Sequence, residues 1–159
     1  MYPDIHDIPA PAEISTADIN MTGGLSLAFI GDSVFDLLIR GHILSKGDAR
    51  VEQLHKNAVQ YANAAFQAKA AEKLLPLLSE EEAAVYKRGR NAHSAHTPKN
   101  KSEAQYHKAT GFEALIGWLY LMRRFDRLYE LFEIILTVEE EDKSEPKKAV
   151  PFNVLAQRK

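Results

Sequence analysis

LSLAFIGDSVFDLLI, residues 25–39, is the stretch that decides the fold. Apolar side chains crowd the run without the period-two alternation of a strand, so it reads as a helix covered on nearly every face. Asp32 sits in its middle. A second run, GFEALIGWLYLM at 111–122, has the same character and carries Glu113. A lone charge in such surroundings costs several kcal/mol even after relaxation, comparable to the whole stability of a small domain. Each acid must therefore be neutral, paired with a base, or holding a cation.

Residues three, four and seven apart share a helix face. Around Asp32 that face holds Leu25, Ala28, Phe29, Phe35, Asp36 and Ile39; around Glu113 it holds Tyr106, Ala109, Thr110, Ile116, Gly117 and Tyr120. Small residues border both acids, Ala28 and Gly31 on the first helix and Ala109, Gly111, Ala114 and Gly117 on the second. Helices packed at these positions bring the two carboxylates into one walled pocket. Two carboxylates with retained waters are a donor set that Mg²⁺ takes. Separate ion pairs with Arg or Lys account for the same pattern.

At 159 residues the chain makes one domain, and without cysteine it has neither disulfides nor thiolate metal sites. No apolar run reaches membrane length, because Asp32, Asp36, Glu113 and Arg123 interrupt the candidates. The acidic, proline-rich start MYPDIHDIPAPAE does not read as a secretory signal, and a cytoplasmic protein without a membrane partner is expected. Residues 1–20 read as an extended arm, 21–142 as the folded domain and 143–159 as a disordered tail. Within the domain, helices are expected at about 25–44, 51–75, 79–88, 102–121 and 125–140, with Ser79 and Glu82 forming a capping box and 89–100 a loop. The fold class is all-α. The first helix is apolar on so many faces that it reads as the central one. It also has more apolar surface than one small domain covers, which favours an isologous dimer.

The net charge is −2, yet residues 87–101 hold five Lys or Arg, two His and no acid. Lys87, Arg88, Arg90, Asn91, Lys99, Asn100 and Lys101 form a candidate phosphate-binding strip, with a solvated loop as the plainer reading.

Phe29-Ile30-Gly31-Asp32-Ser33-Val34 and Phe112-Glu113-Ala114-Leu115-Ile116-Gly117 resemble the two signatures of the ribonuclease III catalytic domain. The closer resemblance is to the short bacterial branch, Mini-ribonuclease III, through LAFIGDSVFD, Leu54-His55, Arg88-Gly89-Arg90-Asn91-Ala92, Pro98-Lys99-Asn100 and FEALIG. It implies an all-helical, homodimeric endoribonuclease that cleaves double-stranded RNA with Mg²⁺, Mn²⁺ being able to substitute. Asp32 and Glu113 are then the catalytic and metal-binding residues, and the seven residues of the basic strip bind RNA. The resemblance further implies maturation of the 5′ and 3′ ends of the 23S ribosomal RNA precursor, with a large-subunit ribosomal protein as a candidate partner. The alternative is a noncatalytic double-stranded-RNA-binding assembly factor for ribosomes on the same scaffold, which would have no need of two central acids. Leu25, Ala28 and Thr110 stand where the full-length family carries further acids, which favours one tightly held Mg²⁺. Asp36 is either an outer holder of the metal ligands or a dimer-contact or ion-pair residue.

Overall fold

A computed structural model describes residues 13–92 and 103–144, and among them every regular element is helical. In chain order these are α1 (Thr16–Met21), α2 (Gly24–Ser45), α3 (Val51–Val59), α4 (Ala64–Leu74), a 3-10 turn (Leu75–Leu77), α5 (Glu80–Arg90), α6 (Glu103–Leu121) and α7 (Phe125–Ser144). Local chemistry sets several of the boundaries. Ser79 opens α5 with the expected capping box: Glu82 N donates to Ser79 Oγ at 3.2 Å and Ser79 N donates to Glu82 Oε2 at 2.9 Å. Two N–H groups that the helix cannot satisfy internally are thereby paired.

The single helix expected over 51–75 is two. Asn63 divides it, its Nδ2 donating to Val59 O at 3.1 Å and Gln60 O at 2.8 Å to close α3. Its Oδ1 accepts from Phe66 N at 2.9 Å and so opens α4. A short amide side chain competes in this way with the backbone's own helical partners.

The central helix is α6, not α2. From Ala109 to Leu119 every residue except Glu113 is buried, with α2, α4 and α5 packed around it and α7 against its far end. Leu27, Phe35 and Ile39 bring one side of α2 into the core, but the other side is open: Phe29 is 80% exposed and Leu37 65%. Apolar composition makes a face able to be buried; only the neighbouring elements decide whether it is.

The extended arm is likewise corrected where the structure describes it. Thr16–Met21 is helical, and Ser15 caps it by accepting from Asp18 N at 3.1 Å. Ile19 enters the core, and Asn20 Oδ1 accepts from the Trp118 indole Nε1 at 3.2 Å. A few residues ahead of the first strong apolar run are thus anchored by one side chain and one indole. Residues 1–12, the expected loop from 93 onward and the tail from 145 lie outside the described residues.

An ion pair between a half-buried arginine and a buried carboxylate ties α7 to α5. Arg127 Nε donates to Glu82 Oε1 at 2.9 Å, and Nη2 reaches both Glu82 Oε2 at 3.0 Å and Leu77 O at 2.8 Å. Burial alone would raise the Glu82 carboxyl, but the Arg127 guanidinium and the Ser79 N–H outweigh it and hold it below its ordinary 4.5. The stability this pair contributes is fully present above pH 4.5 and is lost as pH falls through the depressed value. Arg127→Met is expected to destabilise the protein by about 3 kcal/mol at neutral pH, because it strands a buried carboxylate. The deficit should shrink in acid, once Glu82 protonates. Urea denaturation at about pH 7 and about pH 4 measures both effects.

Candidate active site

Two backbones meet without side chains between them where α2 crosses α6. A Cβ on Gly31 would lie 1.7 Å from Glu113 O and 2.8 Å from Gly117 N. Reciprocally, a Cβ on Gly117 would lie 2.1 Å from Leu27 O. Only glycine allows so close an approach at either position. The expected packing at small residues is therefore observed, with Ala28 and Ala114 buried beside the crossing.

The crossing brings Asp32 of α2 and Glu113 of α6 together, close enough for the Asp32 carboxylate to hold the Glu113 carboxyl up. Their surroundings differ. Glu113 is largely covered, whereas Asp32 is exposed, because it lies toward the open side of α2. The burial expected for both acids thus holds for one. Burial pushes the Glu113 carboxyl up to about 7, aided by the negative charge of Asp32 and opposed by a hydrogen bond from Gln67. Among the described residues no base pairs with either acid, so separate ion pairs do not explain them. Two crowded acids, one of them open to solvent, offer oxygen donors and room for water, which suits a divalent cation such as Mg²⁺.

Among the described residues no third Asp, Glu or His completes a cluster with the pair. Thr110, at the position where the full-length family has an acid, is buried and donates its Oγ1 to Tyr106 O at 3.0 Å, so it serves its own helix. Asp36 is bonded to Arg40, Oδ2 to Nε at 2.6 Å, the ion-pair role of its two readings. Gln67 escaped the sequence reading. Its signal was a lone amide in AAFQAKAA, one residue after Phe66 and on the face of Ala70 and Ala71, all of them buried.

The basic strip is described in part. Lys87 and Asn91 are exposed; Arg90 donates Nε to Asn91 Oδ1 at 3.3 Å, and its guanidinium lies 5.9 Å from the Tyr86 ring centre. Arg88 instead turns inward. Its Nη1 donates to Asn20 O at 2.7 Å, while Nε and Nη2 are buried without a partner. Gly89 belongs to α5 rather than to a loop, and it lies close against α6, where a Cβ on it would meet Ala114 Cβ at 2.5 Å. Lys99, Asn100 and Lys101 lie outside the described residues. The basic end of α5 meets the start of α2, where a Cβ on Gly24 would lie 2.6 Å from Arg88 O. From Gly24 to Asp32 is about 12 Å along the helix axis at 1.5 Å per residue.

The class of this all-α bundle is given by the family model that matches residues 25–124, whose description is Ribonuclease III domain. The chain belongs to the ribonuclease III family and is an endoribonuclease of that type. It is similar to the Mini-ribonuclease 3 of Brevibacillus brevis, 43% identical over 125 residues that cover 79% of this chain and 93% of the relative. Mini-ribonuclease 3 of Thermoanaerobacter sp. is 46% identical over 117 residues, covering 74% and 82%. Among solved structures, the crystal structure of a Fusobacterium nucleatum protein superposes with a TM-score of 0.67 at 30% identity, covering 76% of this chain and 93% of that one. Among the described residues no helix is long and apolar enough to cross a membrane.

Proposed function

We propose that this endoribonuclease hydrolyses double-stranded RNA with Mg²⁺, or Mn²⁺ in its place, held by Asp32 and Glu113. The observation that carries the reading is the crowded carboxyl pair at the α2–α6 crossing, against which no base is placed among the described residues. Bound there, the ion supplies water activation and stabilisation of the leaving oxygen. Glu113 would hold the ion from the covered side of the crossing and Asp32 from the exposed side. A binding protein gains nothing from two acids forced together, so the noncatalytic assembly-factor reading has no feature of the site in its favour. The resemblance to Mini-ribonuclease III supports the ends of the 23S ribosomal RNA precursor as substrate, the cytoplasm as location and residues 21–142 as the catalytic unit, to which α1 adds residues 16–20. The test is strand cleavage of a blunt RNA duplex titrated with Mg²⁺. Saturable, chelator-sensitive cleavage supports the reading, and duplex binding without cleavage at any Mg²⁺ concentration overturns it.

Lys87, Arg90 and Asn91, with Lys99, Asn100 and Lys101, are proposed to follow the phosphates across the wide minor groove of A-form RNA. Arg88, turned into the fold, is proposed to brace α1 instead. Removing Lys87 and Arg90 together is expected to lower the slope of log affinity against log salt by about 1 to 2, since each phosphate contact releases counterions. Arg88→Met should leave that slope unchanged. Filter binding across a salt series reads both variants.

A homodimer is proposed through the open side of α2. Phe29, Leu37 and Leu25 are 80%, 65% and 40% exposed, and they adjoin an apolar groove of about 200 Å³ lined by Ile30, Leu38, Tyr120 and Phe125. An isologous contact would cover such a strip on both copies. Phe29→Glu is expected to convert a particle of twice the 17.9 kDa chain mass into a monomer in sedimentation equilibrium. Wild-type protein that sediments as a monomer would sink the dimer.

A further inference from the structure

We infer that Gln67 is a positioning residue, which holds the Glu113 carboxylate in the orientation a divalent cation requires. The inference rests on the reading of Asp32 and Glu113 as the metal pair. Three polar side chains, Gln67, Glu82 and Thr110, are buried among the described residues. Two have duties within the fold: Glu82 in its cap and its pair with Arg127, Thr110 on the Tyr106 carbonyl. The third, Gln67, is 5% exposed on α4, which packs against α6, and its amide stands beside the Glu113 carboxyl and holds it down against burial.

Packing alone does not call for an amide here. Gln67 stands among Phe66, Ala70, Ala71 and Leu74, all buried, where leucine or methionine would fill the space without burying polar atoms. Its value lies in what it offers a carboxylate. The amide N–H donates to one oxygen and fixes the plane of the carboxyl group, yet it brings no charge. Lysine or arginine at this position would neutralise the acid pair and compete with a cation. Glutamate would add a third negative charge to two already crowded. A neutral donor alone orients Glu113 and leaves the pair's charge for an ion. Partners that orient metal ligands typically govern affinity by about ten- to a hundredfold.

The test is Mn²⁺ binding to the full-length protein without RNA, followed by isothermal titration calorimetry, beside thermal unfolding in chelator. Gln67→Met is expected to bind Mn²⁺ about tenfold more weakly while unfolding at or above the wild-type temperature. Gln67→Asn, which keeps the amide but shortens its reach, should fold and bind with intermediate affinity. Asp32→Asn, measured in parallel, separates this inference from the reading beneath it. Lost binding in Asp32→Asn with wild-type affinity in folded Gln67→Met overturns the role of Gln67 alone. Wild-type affinity in Asp32→Asn overturns the carboxylate pair as the metal site. A Gln67→Met protein that melts earlier yet binds Mn²⁺ as wild type does would make Gln67 a packing residue, and the inference false.

Discussion

Gly31→Ala is expected to cost about 3 kcal/mol or more of folding stability, near the upper end for an overpacked core, and to abolish cleavage in the same step. The added methyl would lie 1.7 Å from the Glu113 carbonyl oxygen. Both clashing groups are attached to main chain, so no rotamer change relieves the overlap and the two helices must separate. Separation opens the seam along Leu27, Ala28, Ala114 and Gly117 and also draws Asp32 away from Glu113. Gly41 supplies the control on the same helix, since a Cβ there meets nothing within 4 Å. Gly41→Ala should stabilise the protein by about 0.5–1 kcal/mol, the ordinary gain of alanine over glycine inside a helix. Urea denaturation of the two variants decides the matter. Equal stabilities would mean that the crossing is not the tight contact described.

Asp32→Asn is expected to slow cleavage by about a thousandfold or more. An ion's stabilisation of transition-state charge amounts to several kcal/mol, and about 1.4 kcal/mol corresponds to each tenfold in rate. The same change should make the metal-free protein more stable above neutral pH. Glu113 is held up to about 7 by burial first and by the charge of Asp32 second, against an ordinary 4.5. Between these values the folded protein keeps a proton that the unfolded chain has released, so stability falls as pH rises from 4.5 to about 7. Asparagine removes the repulsion from Asp32 but leaves the burial, so the fall should be smaller by about 1 kcal/mol. In chelator the variant should match or exceed wild type at about pH 8, and adding Mg²⁺ should raise only the wild-type melting temperature. Equal stabilisation of both proteins by Mg²⁺ would place the ion elsewhere.

Much of this molecule was legible in the order of its residues. Helical periodicity without alternation gave an all-α fold, SEEE at residues 79–82 gave a helix start, and the small residues around Asp32 and Glu113 gave the crossing that joins them. What escaped depends on three-dimensional neighbours. Asn63 is a common helix residue until its amide faces two carbonyls at the end of α3. Arg88 sits in a run of bases that sequence alone reads as a solvated strip, yet the Asn20 carbonyl draws it in. The exposure of Asp32 follows from α6, not α2, standing at the centre of the bundle, and local pattern does not rank two apolar helices by centrality. Gln67 lies 46 positions before Glu113 in the chain, and no spacing rule links them.

The glycine seam has a consequence for how this site can change. Its two acids ride on main chains in direct contact, so the spacing of their backbones is a property of the scaffold, and only the orientation of the carboxyls is left to side chains. Mutational drift cannot readily widen the gap between them by degrees, because each step that loosens the seam also costs the protein stability. Adaptation to a larger ion or a different coordination number is therefore channelled to the third wall, α4, where the residue facing Glu113 can vary without disturbing the weld.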